Sequence, residues 1–159
     1  MGFPVRSVVR PVCIFATLLC VAIPPRVHAA SNAEVILDDA ALNQLEARAE
    51  SAQPREQCFL YAELVHDLTE IAGKQLASGD DDHANATFHR IEALAQKIHM
   101  SLARDTKRLK NAELLMHHTT RRLADMLHIA SSDDRPLLQS TLKRLDTVQA
   151  ELLTQVFVH

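Results

Sequence analysis

Residues 88–130, FHRIEALAQKIHMSLARDTKRLKNAELLMHHTTRRLADMLHIA, decide the fold of this chain. Apolar side chains recur there at alternating spacings of three and four, a heptad pattern typical of a helix that packs along one face. That face comprises Phe88, Ile91, Ala95, Ile98, Leu102, Asp105, Leu109, Ala112, Met116, Thr119, Leu123, Met126 and Ala130. No Gly or Pro interrupts residues 80–135, so the pattern predicts one helix from about 82 to 130, about 70 Å long. Asp105 is the only charge on the face, and a break near it is the main alternative.

The rest of the chain after residue 30 also predicts helices. Alanine and leucine are abundant and no segment alternates with period two, so the expected fold is all-α, an antiparallel bundle of four helices. The expected helices span about 32–51, 54–78, 82–130 and 133–157. Ser31 and Glu34 form a capping box at the start of the first. Pro54 suits the first turn of the second helix, and Gly79 suits the position just after its end.

The C-terminal half carries more apolar surface than two helices bury. Leu114 widens the apolar stripe of the long helix, and the last helix is apolar over a wide arc. Exposed apolar patches of this kind usually mark an interface. We therefore expect the chain to self-associate there through Leu115, Leu127, Leu137 and Leu153. If the long helix breaks near Asp105, the alternative is a single compact bundle.

The N-terminus predicts export. Arg6 and Arg10 precede an apolar run at 12–23, and small residues follow at Ala29 and Ala30, which is the pattern of a signal peptide over residues 1–29. Cleavage is expected after Ala29, with Ala30 the second choice. The product, residues 30–159, is a single helical domain, periplasmic or secreted, with no transmembrane segment. It keeps Cys58 as its one cysteine, which excludes an internal disulfide and is expected to be buried rather than to cross-link two copies.

Charge is sorted along the chain. Residues 31–82 hold 12 acidic and 3 basic residues, whereas residues 83–122 hold 8 basic and 3 acidic residues. Removal of residues 1–29 takes away three arginines and no acids, which leaves a net charge of −6. An acidic exported product without aromatic side chains in its basic run argues against nucleic-acid binding. The basic run at 104–110 is expected to pair with the acidic first helices, with a lipid or acidic-polymer contact as the alternative.

The histidines raise the question of a metal site. Glu113 and His117 stand four residues apart on a helix, but both His117 and His118 fall outside the apolar face, so we expect no metal centre beyond an adventitious surface site. Glu63 and His66 form one Glu-x-x-His pair where a bundle di-iron site needs two, and a helical projection puts both on the far side of helix two. Eight histidines in residues 30–159 make a pH response a further hypothesis.

The segments QCFLYAELVHDLTEIAGKQLASGD (57–80) and DTKRLKNAELLMHHTTRRLADMLHIASSDDRP (105–136) resemble a family of exported all-helical proteins of soil bacteria. The resemblance implies bacterial export and high helix content, and it brings no activity or site residues. The architecture is also similar to that of periplasmic stress chaperones of the Spy/CpxP type. Their Leu-Thr-x-x-Gln signature is not met, since Ala72 and Phe157 stand where the glutamine would be.

Together these patterns predict a non-enzymatic, exported helical interaction or scaffold protein that self-associates and needs no cofactor. There is no Gly-x-Ser-x-Gly elbow, no Gly-rich phosphate loop and no haem attachment motif. The alternative is a chaperone-like or metal- and pH-responsive sensor protein of the periplasm. An unknown exported protein is a second possible partner beside another copy of the chain.

Overall fold

A computed structural model describes residues 39–102 and 106–158. All regular structure in these two ranges is α-helical, which confirms the expected all-α class. Five helices are described: α1 (Asp39–Ser51), α2 (Pro54–Ser78), α3 (Asp81–Ser101), α4 (Leu109–Met126) and α5 (Arg135–Val158). None of them is long and apolar enough to cross a membrane. The predicted signal peptide and the capping box at Ser31 lie outside the described residues.

The predicted continuous helix from 82 to 130 is wrong. α3 ends at Ser101, Leu102 adopts an extended conformation, and α4 begins at Leu109. Asp105, where the alternative placed a break, lies outside the described residues. The four-helix count is wrong for the same reason, because the long helix is replaced by two.

The start of α4 is held against the start of α2, and these contacts explain why the chain turns. The Lys107 backbone N–H donates to the Arg55 carbonyl at 2.7 Å, and the Lys107 ammonium lies 3.0 Å from a carboxylate oxygen of Glu56. The Arg108 guanidinium lies over the Phe59 ring, 3.4 Å from its centroid. Arg108 has φ +57°, a left-handed conformation that costs a non-glycine residue about 1–2 kcal/mol. The contacts with α2 offset that strain.

The helix ends follow from local sequence. Pro54 occupies the first turn of α2, where its missing N–H has no helical partner to lose. Gly79, at φ +75°, ends α2 in the left-handed region, and its N–H points to the carbonyls of Gln75 and Leu76. Before α5, the backbone N–H groups of Asp133 and Asp134 donate to Ser131 Oγ at 3.3 and 3.1 Å. The predicted bounds of α2 are confirmed, and those of α5 differ by two residues at the start and one at the end.

α2, α3, α4 and α5 form a four-helix bundle in which α2 packs against α3 and α4, and α5 packs against the same two helices. α2 and α3 form one antiparallel hairpin, and α4 and α5 form the other. The two hairpins pack against each other through pairs of parallel helices. α4 runs parallel to α2, since Thr119 contacts His66 and Arg122 contacts Glu70. α1 packs on α2 at the outside of the bundle. The expected antiparallel bundle is therefore correct for the hairpins and wrong for the pairs between them.

The core runs through the middle of the bundle. Its largest fully buried side chains are Phe88, Leu42, Leu64, Ile91, Leu94, Ile98, Met116, Leu123, Met126, Leu138, Leu145 and Leu152. Every described residue of the predicted apolar face is buried, apart from Leu102, which is partly buried. The heptad pattern thus predicted the buried side of α3 and α4 correctly, although the two helices turn that side toward a shared core.

Candidate interaction surface

Three of the four predicted interface leucines pack within the chain. Leu115, Leu127 and Leu137 are partly buried against the core of the bundle. Their burial follows from the break before α4, which lets the α4/α5 hairpin cover its apolar side with α2 and α3. Leu153 remains 41% exposed on α5. The argument that two helices leave a wide apolar surface therefore fails for most of the predicted patch.

A smaller apolar patch remains where α4 and α5 run side by side. Gln149 on α5 fixes the register, because its Oε1 accepts from Thr120 Oγ1 at 2.9 Å and its Nε2 lies 3.1 Å from His117 Nδ1. Leu114 lies one helical turn before His117 on α4, and Leu153 lies one turn after Gln149 on α5. Because α4 and α5 are antiparallel, both leucines lie toward the C-terminal end of α5. Leu114 is 54% exposed. We call Leu114, His117, Gln149 and Leu153 the hairpin face.

The predicted adventitious metal candidates lie at the edge of this face. His117 is exposed, and its Nδ1 is already in contact with the Gln149 amide. The rings of His117 and His118 meet edge to face, with centroids 5.9 Å apart. Glu113 is half-buried one turn from His117. Within residues 39–102 and 106–158, no three His, Cys, Asp or Glu side chains converge as a metal-binding group.

The prediction that His66 lies opposite the packed face of α2 is wrong. Its Nδ1 is 3.2 Å from Thr119 Oγ1 on α4, and the residue is partly buried. The projection considered the apolar residues of one helix alone, whereas α2 packs against α1, α3 and α4. Glu63, the other half of the pair, contacts Arg48 on α1 at 3.3 Å. The two side chains thus serve different helix contacts.

No protein-family model, no curated protein and no solved structure matches this chain.

Ion pairs confirm part of the predicted pairing between the basic and acidic segments: within the run at 104–110, Lys107 lies 3.0 Å from Glu56 of α2. On α3, Arg90 contacts Glu46 of α1, and Lys97 lies 3.5 Å from Glu46 and 2.8 Å from Glu50. The hydrogen bond from Arg90 holds the pKa of Glu46 below its ordinary value, and the hydrogen bond to Glu50 raises that of Lys97. On α4, Arg122 lies 3.4 Å from Glu70 of α2. These pairs attach α1 to α3 and α4 to α2, so part of the basic charge is used within the fold.

The unpaired cysteine is buried, as expected. Cys58 has no exposed surface, and burial raises the pKa of its thiol to about 11. A protonated, inaccessible thiol is a poor nucleophile, so Cys58 does not cross-link two copies of the folded chain.

Proposed function

We propose that this protein is an exported, non-enzymatic helical protein that acts through contacts with other proteins, beginning with a second copy of itself across the hairpin face. The observation that carries the proposal is that Leu114 and Leu153 are exposed on the antiparallel helices α4 and α5, each one turn from the contact between His117 and Gln149. A leucine that is half exposed in the monomer gains burial on docking, at about 25 cal/mol per Å². The rim of the face, His117 and Gln149, supplies the polar edge that non-obligate interfaces carry.

Symmetry makes a second copy the natural occupant of this face. A two-fold dimer places the same patch on both subunits, so Leu114 of one copy meets Leu153 of the other when the two hairpins cross. The patch is small, because most other apolar side chains of α4 and α5 pack in the core; Phe157 and Val158 are exposed at the C-terminal end of α5. The expected dimer is accordingly weak and concentration-dependent. Export, and membership of the exported helical family of soil bacteria, remain part of this proposal.

Sedimentation velocity over a hundredfold range of concentration tests the proposal. The protein is expected to move from monomer toward dimer as concentration rises, and Leu114→Glu/Leu153→Glu to stay monomeric. The matched control is Met100→Glu/Ile129→Glu, which makes the same chemical change at side chains that are 68% and 70% exposed elsewhere. A monomer at every concentration, or equal loss of dimer in both double variants, contradicts the proposal.

A pH-responsive role is the second candidate, and it rests on imidazoles that sit against carboxylates. His83 Nδ1 lies 2.7 Å from Asp80 Oδ1, and His99 Nδ1 lies 2.7 Å from Glu151 Oε2. The hydrogen bond to Asp80 raises the pKa of His83 above its ordinary value. The stability that the contact between protonated His83 and Asp80 contributes is therefore fully present below the ordinary histidine pKa. It is lost as the pH rises through the raised pKa of His83. Acidification through the raised pKa should thus tighten the contact between His83 and Asp80.

The second candidate has its own measurements. Sedimentation profiles at pH 5 and pH 8 that superimpose remove the pH-responsive role. Stoichiometric zinc binding that survives a weak chelator, lost in His117→Ala, supports a metal-responsive role. Suppression of the aggregation of an unfolded client protein supports the chaperone-like one.

A further inference from the structure

A groove runs along the outside of the bundle between the parallel helices α3 and α5. Its volume is about 390 Å³, within the range of about 300–1,000 Å³ common for small-molecule sites. Ala95 and Val148 form its floor, and both are buried. Alanine on α3 leaves space that a longer side chain would fill. We call this feature the α3/α5 groove; it lies on a different side of α5 from the contacts that define the hairpin face.

Two cations stand at the edge of the α3/α5 groove without carboxylate partners. Lys143 and Arg144 are exposed on α5, line the groove, and form no ion pair with any residue of the ranges 39–102 and 106–158. On α3 and α4, by contrast, Arg90, Lys97 and Arg122 are each paired with a glutamate of α1 or α2. The positive charge at the groove is thus not used to attach one helix to another.

Two acidic groups near the cations, Glu151 on the groove lining and Glu92 beside it, already accept hydrogen bonds. At one end, Glu151 accepts a 2.7 Å contact from His99. At the other, Glu92 accepts from Ser140 Oγ at 2.7 Å and from Thr141 Oγ1 at 3.3 Å. Asp146 lines a shallower depression next to Lys143, away from the groove floor. The carboxylates therefore leave Lys143 and Arg144 available to an anion from outside.

We propose that the α3/α5 groove binds a small organic anion that joins one acidic headgroup to a compact hydrocarbon group. Lys143 and Arg144 would hold the headgroup by charge-assisted hydrogen bonds. Ala95 and Val148 would bury the hydrocarbon group. An apolar floor with a few polar groups at its edge is the usual design of a ligand site. This inference does not depend on self-association through the hairpin face.

Octanoate is the probe that tests it, with 1-octanol and inorganic phosphate as matched ligands that lack the charge or the hydrocarbon. Binding to the full chain is followed by the shifts of its backbone amide NMR signals. Octanoate is expected to shift amides of α3 and α5 around Ala95 and Val148, and to bind more tightly than either matched ligand. Lys143→Gln/Arg144→Gln is expected to weaken octanoate binding about tenfold or more, since hydrogen bonds to charged groups are lost.

The control variant is Lys110→Gln/Arg121→Gln, which removes two exposed cations of α4 outside the groove. It is expected to bind octanoate within about twofold of the wild type, and circular dichroism should show that both variants stay folded. Absence of octanoate binding overturns the proposal. If 1-octanol binds as tightly as octanoate, the groove makes apolar contact only, and if phosphate binds as tightly, it holds an adventitious anion only. If the control variant loses as much octanoate binding as Lys143→Gln/Arg144→Gln, the effect is one of diffuse charge. Each of these outcomes also overturns the proposal.

Discussion

The substitution Leu123→Ala is expected to destabilise the protein by about 3–4 kcal/mol. Leu123 has no exposed surface and lies in α4, where it fills the core between the two hairpins. Truncation removes the buried methyl groups and leaves a cavity, and buried Leu→Ala changes cost about 2.7–5 kcal/mol. For a domain of about 120 residues, an unfolding entropy of about 2.1 cal/mol/K per residue turns 3 kcal/mol into a decrease in Tm of about 12 °C.

Leu114→Ala is the matched control, because it makes the same change on the same helix at a side chain that is 54% exposed. It is expected to cost no more than about 0.5 kcal/mol, since little apolar area returns to water and alanine favours the helix slightly. Urea denaturation of both variants, followed by circular dichroism at 222 nm, gives the two free energies of unfolding. Variants that differ by less than about 1 kcal/mol would refute the packing of α4 in a shared core.

Three further outcomes follow from particular residues. In a Cys13→Ser/Cys20→Ser background, Cys58, buried and with its thiol pKa raised to about 11, should react with Ellman's reagent at pH 8 only after unfolding, and prompt labelling of the native protein contradicts its burial. Glu46, whose pKa is lowered by the hydrogen bond from Arg90, should contribute stability above its unfolded pKa that is lost as the pH falls through its folded value. Glu46→Gln should therefore flatten the acid side of the stability profile, by about 0.5–1 kcal/mol, and an unchanged profile contradicts the pair. Gly79→Ala should cost about 1 kcal/mol, because φ +75° strains a residue with a Cβ, and a gain in Tm would show that the turn differs.

Much of the fold is predictable from local signals. Pro54 and Gly79 mark the two ends of α2, and the predicted bounds match the structure because each residue acts through its own backbone geometry. The heptad pattern predicts the buried face of α3 and α4, because burial of apolar side chains is required whichever neighbours cover them. These predictions depend on residues close together in the chain.

The break between α3 and α4 depends on residues far apart. Leu102 and Leu109 keep the heptad spacing across it, and no Gly or Pro marks it, so the sequence pattern favours a continuous helix. The turn is stabilised by Lys107 and Arg108 meeting Arg55, Glu56 and Phe59, some fifty residues earlier. Tertiary contacts of this kind override helix propensity. A non-glycine residue with positive φ, such as Arg108, carries no sequence signal that predicts it.

The candidate sites show the same division. Exposure of His117 and His118 follows from their place outside the apolar face. The position of His66 against Thr119 could not be predicted, because it requires knowing that α4 packs beside α2. The sequence pattern likewise assigns three leucines to an interface, whereas they pack against a core to which all five described helices contribute: Leu115, Leu127 and Leu137. The α3/α5 groove likewise depends on a pairing of parallel helices that local spacing does not specify.

The distance between the start of α3 and the end of α4 tests the central claim most directly. Spin labels at Ala86→Cys and Asp125→Cys, both exposed positions, in a background without native cysteines, would report it by pulsed electron paramagnetic resonance. Because the chain turns between Ser101 and Leu109, both labels lie at the same end of the bundle, and a separation of about 15–30 Å is expected at interaxial distances of about 8–10 Å. A continuous helix would place them about 58 Å apart at 1.5 Å per residue, and a distribution centred near that value would contradict the account.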